Sequence, residues 1–407
     1  EYLTGRTGAV YVNNGSAISA PVNVEVLPEN SVTVLIMQHT NYVTVRNIDF
    51  RGGSAWNIIH IEAPAAHICF DSCIIQRGNG SGIQAENTVD KEVSAFVSQL
   101  TISRCLIDKV WSAHENDPKI RLSGDGIFLR HAVDQGLLDE NRILNWGHSG
   151  ISLTSYALGV HGVHHIIVQR NDVSAGESGY MHAIDMNGFE GLTTHNIVRR
   201  NYFHDYLVTG HILGSFNLIY SNIFAGVKIS RMPLHSHQGW AVDWYPWPYR
   251  GNGPWIEAHD NALINNTFSD AEEFLIMVND DPANPNPVTR NTIANNIFYQ
   301  FGSLAINVSE KVKGSIPVKS NDFWNFDSSG IVARYKNLPR EKGYTALKLN
   351  QLFPDVCANN IQMDTVFADP LNWDFLLTSR SPARIKRGGN NEYLALLDSG
   401  FVEFYGN

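Results

Sequence analysis

Charge is scarce in this chain: Asp, Glu, Lys and Arg make up 17 % of its 407 residues, against roughly a quarter in an average globular protein. Acids outnumber bases, and the formal net charge is −10. Nucleic acid is therefore not an expected partner, since phosphate binding takes a basic face. Long apolar runs are also missing. No stretch of 18 apolar residues occurs, so no membrane-spanning helix and no membrane partner is expected. Cysteine is rare. Cys69, Cys73, Cys105 and Cys357 are too few for a disulfide scaffold and match no zinc spacing. The chain starts at Glu1 without Met or a leader, which leads us to expect a processed, secreted protein, extracellular or periplasmic.

What is plentiful is Gly, Asn, Ser and Thr, beside a hydrophobic fraction of 43 %. Such a composition favours strands and turns over helix, with enough apolar material for an extended core. A chain of this length exceeds the usual single domain, but a repeat architecture escapes that limit because each repeat buries its apolar face against its neighbours.

A repeat is present. Apolar residues, two polar residues, Asn, any residue and then Phe, Ile or Val recur as IVQRNDV, IVRRNYF, LIYSNIF, LINNTF, IANNIF and PVKSNDF, around Asn171, Asn201, Asn222, Asn266, Asn296 and Asn321. LDENRI around Asn141 belongs with them, and weaker copies place Cys105, Cys73 and Ile48 at the same point. Steps of 21 to 44 residues between these positions bracket a coil of three short strands and three turns. Apolar residues alternate at period two within each phrase, as in a strand. The Asn suits a turn position of unusual backbone angles, where its amide bonds the backbone. Stacked coils would make a ladder with rungs about 4.8 Å apart, with Cys73 and Cys105 as neighbours, either as thiols or as one disulfide.

With these phrases the chain resembles the pectate-lyase-like superfamily of right-handed β-helices, from roughly Asn41 to Gly389. A closing turn of VFADP, DF and SPA (366–383) fits the same family. The resemblance implies an all-β fold: a right-handed, single-stranded parallel β-helix of about ten or more coils. Residues 1–40 are then an N-terminal cap and first coil, 41–389 the β-helix, and 390–407 a C-terminal tail. A helix is expected around Tyr344 to Leu352. The superfamily holds lyases, hydrolases, epimerases and non-catalytic adhesins, so the resemblance leaves activity open.

Candidate chemistry lies on the strand that precedes each Asn phrase. With Ile127, Ile151, Ile184, Ile212, Val242 and Ile306 inward, the outward column reads Phe128, Ser152, Asp185, Leu213, Asp243 and Asn307. Asp185 and Asp243 are then two coils apart, about 9.5 Å. Inverting glycosidases hold their carboxyl pair about 6.5–9.5 Å apart. Asp125 is a third carboxylate at the mouth of the same strand, though its GDG context equally suits a tight turn. Twelve of the sixteen histidines lie between His131 and His259, and His148, His182 and His211 stand at strand entrances, which favours a site over scattered surface residues. GHSGISLTS resembles the GHG phrase of polygalacturonases, but their NTD phrase and adjacent Asp pair are absent from this region, which carries GDG instead. The pairs His164–His165 and His235–x–His237 lack a carboxylate at ligand spacing, so no metal is expected there.

The step from Asn222 to Asn266 carries about twenty extra residues, and long loops in compact folds tend to be functional. It contains His237, Trp240, Trp244, Tyr245, Trp247, Arg250 and Trp255. Such rings suit the C–H faces of sugars, although a lid or subunit contact would use them too.

Three functions fit. A secreted glycoside hydrolase would use Asp185 and Asp243, with Asp125 in support and no cofactor. A polysaccharide lyase or epimerase on uronate sugars would take the C5 proton with His182, His211, His237 or Tyr245, and neutralise the carboxylate with Arg130, Arg231 or Arg250. Ca²⁺ would enter only in the lyase case. A glycan-binding protein would use the aromatic loop alone. In all three the partner is a polysaccharide or oligosaccharide.

Overall fold

The computed structural model describes residues 33–380 with breaks, chiefly at 88–94, 111–123, 156–160, 175–181, 189–191, 206–209, 228–239 and 245–257, and three short strands before residue 33; residues 381–407 lie outside the described part. The chain winds through three parallel sheets. In one coil it runs through Ile127–Arg130 in the first sheet, Val133–Asp134 and Leu137–Asp139 in the second, and Arg142–Trp146 in the third. It then re-enters the first sheet at Ser149–Ser155. The first and third sheets each contain eleven strands. This is the expected parallel β-helix, with the expected coil number.

The Asn ladder holds the coils in register. The Asn171 amide oxygen accepts the backbone N–H and the side-chain N–H of Asn141, both at 3.0 Å. The same pairing runs on through Asn201, Asn222, Asn266, Asn296 and Asn321 to Asn360. Each Asn also donates to a carbonyl of the preceding coil, as Asn171 does to Leu138 at 3.0 Å. One expectation is corrected. The residue that takes the left-handed backbone is the one before each Asn: Glu140, Arg170, Arg200, Ser221, Asn265, Asn295 and Ser320 all have φ near +55°. The Asn is thereby free to turn its amide along the stack. A second ladder, Asn196–Asn217–Asn261–Asn291, runs parallel and was not anticipated.

Two residues beyond the Asn, an apolar side chain points inward: Ile143 and Val173 in the first two coils, then Phe. Phe203, Phe224, Phe268, Phe298 and Phe323 stack with centroids 5.0–5.3 Å apart, the spacing of the strands themselves. Cys73 and Cys105 continue the Asn column upward: Leu106 N–H bonds the Cys73 carbonyl, and Cys105 N–H bonds the Asn141 amide oxygen. Both are buried free thiols. The helix forms at Ala346–Leu352, capped by the Thr345 hydroxyl accepting from Lys348 N–H.

Candidate active site

The polar residues collect on the first sheet. Its outward column reads His60, Gln84, Phe128, Ser152, Asp185, His211, Asp243, Met277, Asn307 and Arg334 through successive strand pairings. Asp185 and Asp243 therefore share one column two coils apart. The expected occupant of the rung between them, Leu213, is corrected to His211. Ile212 pairs with Met186 rather than Ile184, a shift of two residues that keeps Ile212 inward and leaves the faces unexchanged. That coil is the short one, 21 residues from Asn201 to Asn222, and it turns sharply at Gly214, with φ +82°.

Three close backbone contacts set the edge of this site. A Cβ on Gly126 would lie 2.4 Å from both the Gly150 carbonyl and the Ile143 side chain, and Gly82 and Gly150 are similarly tight. The small residue lets the coil turn inward directly after Asp125, so the GDG phrase is both a tight turn and the mount of a carboxylate. Asp125 is buried, and its Oδ1 lies 3.0 Å from His148 Nδ1; Ser149 Oγ is 2.9 Å from the same nitrogen. Burial would lower the His148 pKa, but the charge and hydrogen bond of Asp125, with the charge of Asp185, push it up to about 9. The ring of His148 meets that of His182 edge-on at 5.7 Å, and His182 lies 4.1 Å from His211. The sequence led us to expect these histidines at equivalent strand entrances, and the register differs: His182 pairs with Ser149, and His211 with Asp185. Their rings nonetheless form one continuous row. Asp185 is 2 % exposed and accepts a hydrogen bond from the Asn187 side chain. Asn187, whose Oδ1 is buried without a hydrogen-bond partner, escaped the sequence reading, as did Ser149; only their places beside Asp185 and His148 mark them.

Arg130, one candidate for neutralising a uronate, is engaged elsewhere, 3.5 Å from Glu86, which also holds His60 at 3.2 Å. Trp240–Trp244 is the strand beside His211, which places Trp240, Asp243 and Trp244 in the sheet. Tyr245, Trp247, Arg250, Trp255, Arg231, His235 and His237 lie outside the described residues.

The Asp125–His148 pair makes a pH prediction. Because the folded pKa is raised above 6.5, its stabilisation is complete below that pH and is lost as pH climbs through about 9. Asp125→Asn should bring the His148 midpoint down, since burial then acts with less opposition. Ring-proton NMR titration reads it directly; an unmoved midpoint would show that Asp125 does not hold the proton.

No protein-family model and no curated protein matches the chain. Solved structures do. A surface adhesin of Streptococcus pneumoniae, PfbA, is 14 % identical over 72 % of this chain and 77 % of its own, with a TM-score of 0.44. A mannuronic acid specific polysaccharide family 6 lyase from human gut microbiota is 10 % identical over 84 % and 80 %, TM-score 0.46. The catalytic unit of a GH87 α-1,3-glucanase from Streptomyces thermodiastaticus is 12 % identical over 81 % of this chain and 62 % of its own, TM-score 0.33. The parallel β-helix itself is given by the strand pairings of this chain.

Proposed function

We propose that this protein is a polysaccharide-acting enzyme, and specifically a glycoside hydrolase. The observation that carries the reading is the column Asp185–His211–Asp243, which holds two carboxylate-bearing residues two coils, about 9.5 Å, apart on rigid strands. That spacing leaves room for a sugar linkage and an attacking water. Asp243 serves as general acid and Asp185 as general base. Asp185 is buried, on the strand that pairs with the one following His148, and the base role is assigned to it by that place in the column. A polymeric substrate would be met outside the cell, which goes with export.

One observation favours a second reading. A protonated His148, beside His182 and His211, would suit the carboxylate of a uronate, as in a lyase. The products separate the two. Incubation with neutral and uronate glycans should release reducing ends without absorbance near 235 nm for the hydrolase, whereas an unsaturated product absorbing there would establish the lyase. Binding without any product would leave only the glycan-binding role. Trp244→Ala should weaken glycan binding by about 1–3 kcal/mol if the ring stacks on sugar; unchanged affinity in titration calorimetry would return the aromatic segment to a lid or contact role.

A further inference from the structure

We infer that Asp134, His164 and His165 form a binding site for one divalent transition-metal ion, of the zinc class, on the second sheet. Among the described residues this is a group of three whose ligand atoms all lie within 4.8 Å of one another. The sequence alone argued against it, because no carboxylate neighbours the His pair in the chain. The coil supplies one. Asp134 and His164 are register partners on adjacent strands, thirty residues apart, and His165 follows at a left-handed position with φ +55°. That turn brings its ring back beside the first: the two rings meet edge-on, 5.5 Å between centroids. Asp134 Oδ1 lies 3.0 Å from His164 Nδ1 and 2.8 Å from His165 Nδ1.

Ligand atoms on one tetrahedral ion with bonds of about 2.0–2.2 Å stand about 3.3–3.6 Å apart, so the three atoms need part by only about half an ångström to admit it. Two imidazoles and one carboxylate are a donor set that borderline ions such as Zn²⁺ take, and one that hard ions such as Ca²⁺ do not prefer. On binding, each imidazole turns its Nδ1 lone pair to the ion and carries its proton on Nε2 (tautomerisation, with no net proton released from a neutral ring). Access is open: the side chains of His164, His165 and Asp134 are 20, 45 and 23 % exposed. Water would fill the fourth position.

The two coils joined by this ion are those that carry Asp125 and His148 on the first sheet. A bound ion would clamp them from another face. Chelator-treated full-length protein titrated with ZnCl₂ should show one saturable site, and its melting temperature should rise with free zinc. His165→Ala and Asp134→Asn should each weaken binding at least tenfold, while His204→Ala, which alters a histidine between Asp172 and Asp205, should leave it unchanged. Crystals soaked in ZnCl₂ should give an anomalous peak at the zinc edge about 2.0–2.2 Å from the three named atoms, a reading that needs no variant to fold. A hydrogen-bonded cluster without zinc, binding that survives His165→Ala, or an anomalous peak elsewhere would each overturn the proposal.

Discussion

Asp185→Asn is expected to lower kcat on the identified glycan by about 10²–10⁴-fold, and Asp243→Asn to do the same. An amide fills the same space but cannot exchange the proton. Asp185 is buried and accepts from the Asn187 side chain, and the Asn replacement keeps an oxygen that can accept, so the melting temperature should hardly move. The two variants should differ in their pH profiles. Loss of a base removes the acidic limb of kcat/KM, and loss of an acid removes the alkaline limb. NMR of the first-formed product should show inversion at the anomeric carbon, the outcome set by a widely spaced carboxyl pair. Near-normal turnover in both Asn variants would refute the assignment at these residues. Loss of turnover in His182→Ala or His211→Ala with an unsaturated product would move the chemistry to the lyase.

The largest expected effect on stability is at the Asn ladder. Asn222 is buried at its centre: its Oδ1 accepts from the Asn201 backbone and side chain at 3.0 and 2.9 Å, and its Nδ2 donates to Val198 O at 2.9 Å and Asn266 Oδ1 at 3.0 Å. Asn222→Ala removes those partners at a stroke. Each buried polar group left unpaired costs about 1–3 kcal/mol, and relaxation limits the total to about 3–5 kcal/mol. Urea unfolding should show this as a lower midpoint. Ser221, one residue earlier, is the contrast. It holds the left-handed turn, φ +55°, so Ser221→Asn, a residue that visits that region readily, should leave stability unchanged or raise it. Equal losses at both positions would show that the turn, and not the amide ladder, holds the coils together.

The Asn phrases could be read from the chain because they are periodic and local. An amide that repeats every coil, with Phe two residues on, identifies a stack before any coordinates exist, and the outward places of Asp185 and Asp243 followed from the alternation of each strand. The ladder also masked its own mechanism: which residue turns left-handed depends on backbone angles that Asn, Arg and Ser can all supply. Register along the short coil was not legible either. Whether Ile212 faces Ile184 or Met186 is decided by how sharply the chain turns at Gly214, and inward alternation is identical in both cases. So His211 reached the rung between the two carboxylates only through the tertiary structure. The same holds for contacts across coils. Asp125 and His148, and Asp134 with His164 and His165, are 23 to 31 residues apart in the chain, a distance at which composition carries no information about pairing. The periodic pattern by itself determined the solenoid and its polar face; only the stacking of coils decided which titratable groups touch, because that depends on the length of every intervening turn.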